Sequence, residues 1–141
     1  MYATLDDLKI ALGVDRLLRI ADRDRDDVVD AQVVDTAIER ASAEIDAAIG
    51  QRYRLPLASV PLVVRDICID LSHYILDLDP DEDLRSRAKA ARKRLEDLRD
   101  GRTVLTDAAT AGTTDDPAEG GRGSDLPRVR PFVSGLDLGG L

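Results

Sequence analysis

One cysteine, one histidine and no tryptophan in 141 residues leave little material for catalysis or metal chemistry. Cys68 cannot close an internal disulfide or supply a multi-thiolate zinc site, and its place in the run Ile67-Cys68-Ile69 suits a small buried thiol. His73 leaves general acid–base catalysis few candidates. Ser72 beside it is no nucleophile partner, because adjacent positions of a helix diverge. Aromatic residues are 3% of the chain, too few for a platform on which single-stranded bases stack. Positive charge is outnumbered, 20 Lys and Arg against 28 Asp and Glu, so the net charge of -8 has the wrong sign for holding a phosphate backbone. No apolar run approaches the roughly 20 residues of a membrane span. The start, Met1-Tyr2-Ala3-Thr4-Leu5-Asp6-Asp7, lacks the basic and apolar regions of a signal peptide. There is no glycine-rich phosphate loop after a strand. A soluble, non-enzymatic protein of a reducing compartment is expected, with no membrane partner.

What is present divides in two. Residues 101–141 hold eight of the ten glycines and three of the six prolines, a composition that cannot offset its own ordering entropy. We therefore expect a helical domain over residues 1–101 and a flexible arm over 102–141. In the domain, Thr4 with Asp7 reads as a capping box opening a short helix with Leu5, Leu8 and Leu12 at helical spacing, and Gly13 ends it. A second short helix follows over 14–21. The spacing predicts a long helix over 30–53, with Val33, Val34, Ala37, Ile38, Ala41, Ile45, Ala48 and Ile49 as its stripe. Pro61 suits the first turn of another, reaching residue 78, whose core face is Leu62, Val63, Ile67, Leu71, Tyr74, Ile75 and Leu78. This helix has so few polar positions (Arg65, Asp66, Asp70, His73 and Asp77) that it belongs at the centre. Asp81-Glu82-Asp83 begins the last long helix and Gly101 stops it, acid first and base later, as the helix macrodipole favours. The fold class is all-α, a small bundle of three long and one or two short helices with an extended, Gly/Pro-rich C-terminal arm.

Three constellations bear on function. Asp22, Asp24, Asp26 and Asp30 stand at the first, third, fifth and ninth places of a calcium-loop spacing, where alternate carboxylates converge on a hard cation. Asp27 stands where that loop needs glycine and Val33 where it needs a bidentate glutamate, and Arg23 and Arg25 dilute its charge. The competing reading is a polar loop in which Asp30 caps the next helix and the other aspartates pair with the arginines. Asp66, Asp70, His73 and Asp77 recur at helical spacing, which a metal stripe and a solvent-facing or interface-facing stripe both produce. Arg85, Arg87, Lys89, Arg92, Lys93 and Arg94 gather positive charge on the last helix. That is either a solvated face paired with Asp81, Glu82, Glu96 and Asp97 or a docking patch for an acidic neighbour. The arm ends in an apolar cluster, Phe132, Val133, Leu136, Leu138 and Leu141, after a polar spacer, which reads as a tethered anchor contacting a neighbouring subunit or partner.

Met1-Tyr2-Ala3-Thr4-Leu5-Asp6-Asp7-Leu8, Ala21-Asp22-Arg23-Asp24 through Val29-Asp30, Ala41-Ser42-Ala43-Glu44-Ile45-Asp46 leading to Arg52-Tyr53-Arg54-Leu55-Pro56-Leu57, and Val60-Pro61-Leu62-Val63-Val64-Arg65 follow one another across residues 1–101. Together they resemble the Mu-like tailed-phage head-tail connector (adaptor) family, and the terminal Arg130 to Leu141 is loosely similar to its short C-terminal motif. Members typically carry Gly where Asp27 stands. The resemblance implies a virion protein of the head-tail junction, made in the host cytoplasm. It implies a homo-oligomeric ring of twelve below the portal protein, joined to the next neck or tail connector. DNA would pass through that ring without sequence-specific binding. The alternative from another class is a small helical regulatory protein that responds to calcium through the 22–30 loop.

Overall fold

The computed structural model describes residues 1–106, which form five helices and no strand: α1 (Leu5–Leu12), α2 (Val14–Ala21), α3 (Ala31–Ile49), α4 (Leu62–Leu76) and α5 (Glu82–Asp100). This is the all-α bundle of three long and two short helices that the periodicity predicts. The arm beyond residue 106 lies outside the described residues.

Helix boundaries follow local chemistry. At α1 the capping box forms in full: the Thr4 side chain accepts from the Asp7 backbone N–H, and the Asp7 carboxylate accepts from the Thr4 N–H. Gly13 at φ +86 turns the chain between α1 and α2. At α5 the Asp81 carboxylate accepts from the Leu84 N–H at 2.8 Å, and Gly101 closes the other end in the left-handed conformation. The third helix ends at Ile49 rather than near 53: Gly50 is its C-cap, and the N–H groups of Arg52 and Tyr53 share the Ile49 carbonyl in the turn that follows. The fourth ends at Leu76 rather than 78, since Asp77 is extended.

The core is built from one stripe of each long helix. Val34, Ala37, Ile38, Ala41, Ile45 and Ile49 of α3 meet Val64, Ile67, Cys68 and Leu71 of α4, while Ala88, Ala91, Leu95 and Leu98 of α5 close the third side. Each fully buried Leu or Ile contributes about 1.5–3 kcal/mol relative to exposure. Helix α4 is central, packing on α3, α5 and α1. Two expected core residues are exposed instead, Leu62 at 68% and Leu78 at 80%. Leu62 lies two residues, about 200°, from Val64 and so on the opposite side of the helix. Leu78 lies past the helix end. Conversely Ser72 and His73 are buried: Ser72 Oγ lies 4.0 Å from Cys68 Sγ on the core side, and α1 packs on α4 while Arg16 of α2 reaches His73. The packed core continues past Gly101: Leu105 is buried and its N–H donates to the Tyr53 hydroxyl at 3.1 Å.

Candidate functional site

The loop between α2 and α3 brings three of its four predicted ligands together. One oxygen each from Asp22, Asp24 and Asp30 lie within 4.8 Å of one another, and Asp26 is outside this group. Part of their lone-pair capacity serves the backbone. The Asp22 carboxylate accepts from the N–H groups of Arg25 (2.7 Å), Asp26 (3.1 Å) and Asp27 (2.9 Å). Asp26 accepts from Val28, and Asp30 accepts from Arg23 at 2.9 Å. Asp30 stands at the N-cap of α3 but does not cap it with its side chain, which is turned back into the loop. Nor do the aspartates pair with the loop arginines: backbone donors are nearer, and Arg23 instead reaches the free carbonyl of Leu76 at the end of α4. Arg25 and Asp27 hold positive φ, which permits the tight winding that aims three N–H groups at one carboxylate. Although desolvation opposes it, those N–H bonds hold the Asp22 carboxyl below the usual range. Slight desolvation and the neighbouring Asp26 and Asp30 charges push Asp24 up.

The polar stripe of α4 does not act as a unit. Asp66, Asp70 and His73 line a cavity of about 610 Å³ that α1, α2 and α5 complete with Leu12, Arg16, Arg87 and Arg94. His73 is 4% exposed, and Arg16 Nε donates to its Nε2 at 3.3 Å. Burial first, and then the Arg16 charge, lower the imidazole's affinity for a proton. Burial raises the Asp70 carboxyl, against the opposing charges of Arg87 and Arg94. Among the described residues this stripe forms no metal-ligand cluster.

The basic helix α5 is partly neutralised, though with few of the expected partners. Arg87 lies 3.5 Å from Asp83 and 3.8 Å from Asp70, and Lys93 pairs with Asp97 at 2.8 Å. Arg92 bonds Glu44 of α3 at 2.7 Å and stands over the Tyr74 ring, 5.3 Å from its centroid. Of the acids expected from the sequence, Asp97 pairs within the helix and Asp81 instead lies 3.9 Å from Arg16. Arg85 and Lys89 have no ion pair among the described residues. They line a groove of about 560 Å³ together with Tyr74, Ala90, Arg92, Lys93 and Glu96. That groove had no signal in the sequence, because Tyr74 comes from another helix. The apolar cluster Phe132, Val133, Leu136, Leu138 and Leu141 lies outside the described residues.

No described helix is long and apolar enough to cross a membrane. Residues 2–122 match the family model "Bacteriophage Mu, Gp36". Gene product J of Escherichia phage Mu is 31% identical over 135 residues, covering 92% of this chain and 89% of that protein. The Mu-like prophage FluMu protein gp36 of Haemophilus influenzae is 35% identical over 89 residues, covering 62% of this chain and 59% of its own.

Proposed function

Since the chain belongs to the bacteriophage Mu Gp36 family, we propose that it is a structural subunit of the phage particle: a head-tail connector that forms a ring below the portal and joins it to the next neck or tail protein. The observation that carries this reading is the family match over residues 2–122, which spans the whole helical bundle rather than one motif. Its architecture is consistent with an adaptor. The described cavities are mixed-charge surface clefts with no nucleophile–base pair, and 35 residues follow residue 106, carrying an apolar cluster in the sequence. Copies of this chain are the first partner, in a ring whose expected number is twelve, followed by the portal and the downstream connector. A net charge of -8 suits a passage through which DNA slides without being held.

Removing the gene tests the reading. Full heads and complete tails should accumulate unjoined, and complementation with the intact gene should rejoin them. Infectious particles of normal number lacking the protein would refute it. The second reading, a calcium-responsive loop, is favoured by the closeness of Asp22, Asp24 and Asp30. The backbone bonds already made to Asp22, Asp26 and Asp30 weigh against it.

A further inference from the structure

Resting on the connector reading, we propose that copies of this chain join head to tail, the α1–α2 corner of one copy seated in the α4–α5 groove of the next. The two halves differ in their balance of charge, four cations and Glu96 lining the groove against Asp6 and Asp15 with Lys9 at the corner. The corner presents Ile10, 84% exposed, and Val14, 51% exposed, on either side of Gly13, with Asp6 a turn before Ile10 and Asp15 directly after Val14. The groove is lined by Tyr74, partly covered by Arg92, and Ala90, with Arg85, Lys89, Lys93 and Glu96 along α5. Arg85 and Lys89 are exposed and without a carboxylate partner among the described residues, in a chain whose acids outnumber its bases. Ile10 and Val14 against Tyr74 and Ala90 remove apolar surface from water, and Asp6 and Asp15 reach the two idle cations.

The two patches cannot satisfy each other within one molecule. Arg87 and Arg94 leave α5 toward the cavity bordered by the α1–α2 corner, whereas Arg85, Lys89 and Lys93 line the groove on its other flank. A contact between two different patches is heterologous, so it repeats from copy to copy and closes as a ring when the rotation allows. A self-complementary contact would stop at a dimer.

Disulfide trapping decides it, in the full chain carrying Ile10→Cys and Ser86→Cys, two exposed positions, one at the corner and one in the groove. The native Cys68 is buried and stays out of the exchange. Mild oxidation of the concentrated protein, or of particles that carry it, should give a ladder of bands from dimer upward, and neither single variant should give a ladder. Adding Arg85→Glu and Lys89→Glu should abolish the ladder, and adding Asp6→Lys and Asp15→Lys to that protein should restore it. A double variant that yields nothing above dimer in both settings would overturn the contact, and so would a ladder indifferent to charge reversal. The connector reading stands or falls separately, on whether the wild-type chain is found in particles at all.

Discussion

Arg16 can only donate, so its bond to His73 Nε2 requires a neutral imidazole with the proton on Nδ1. Burial and the Arg16 charge favour the same state, which sets a pH dependence. Below about pH 6.5 an unfolded histidine takes up a proton that the folded His73 resists down to its lowered pKa. The stability this histidine confers is therefore complete above that pH and declines as the pH falls through the window. Asp70, raised by burial in the same cavity, contributes with the opposite sign, so the comparison must be made against His73→Gln. Urea midpoints should fall more steeply for the wild type than for His73→Gln between pH 7 and 5. Parallel profiles would mean the imidazole is not held neutral. None of this was legible in the sequence, where His73 falls on the polar side of α4 and nothing local announces that α1 and α2 cover it. The 22–30 loop was more legible: three of the four alternating aspartates do converge, but the pattern could not show that backbone N–H groups already bond Asp22, Asp26 and Asp30. With Asp22 so engaged, and Val33 where a bidentate acid would stand, the melting temperature should be the same in millimolar calcium as in chelator. A saturable rise would contradict this.

Helices were the readable layer because each long one carries a stripe of period 3.6 and its own stop signals. Leu71 illustrates it: placed in the core of α4 by spacing alone, it is fully buried between α3 and α5. Leu71→Ala should cost about 2–5 kcal/mol by chemical denaturation. An unchanged midpoint would mean the core lies elsewhere. Where the reading failed, Leu62 lies on the opposite side of α4 from Val64 and Leu78 lies past the helix end. The end of α5 offers a sharper test of backbone chemistry. Gly101 sits at φ +81, and a Cβ there would come within 2.8 Å of Arg52 Nη1. The arginine tip can move but the left-handed backbone cannot be relieved, so Gly101→Ala should destabilise by about 1–2 kcal/mol. Gly101→Asn should do so by less, because asparagine tolerates this region better. Equal effects of the two would argue that crowding against Arg52, not backbone conformation, sets the cost.

At the scale of the whole molecule, the resemblance along residues 1–101 and the family match over 2–122 agree, since this helical body spreads its signal over many weak positions rather than one motif. The α4–α5 groove was the illegible part: it is made by side chains 11 or more residues apart on two helices, and only the fold brings Tyr74 beside Arg85 and Lys89. The arm remains an expectation drawn from composition. Removing residues 126–141 takes nothing from the described core, so the helical circular dichroism and melting temperature should stay as they are while incorporation into particles drops. Equal incorporation would remove the anchor role. The central claim, that this chain is a ring-forming part of the neck, is tested most directly by electron cryomicroscopy of intact particles. Density at the head-tail junction should fit copies of the α1–α5 bundle arranged in a closed ring between portal and tail. A fully resolved neck in which every subunit is accounted for by other proteins would contradict it.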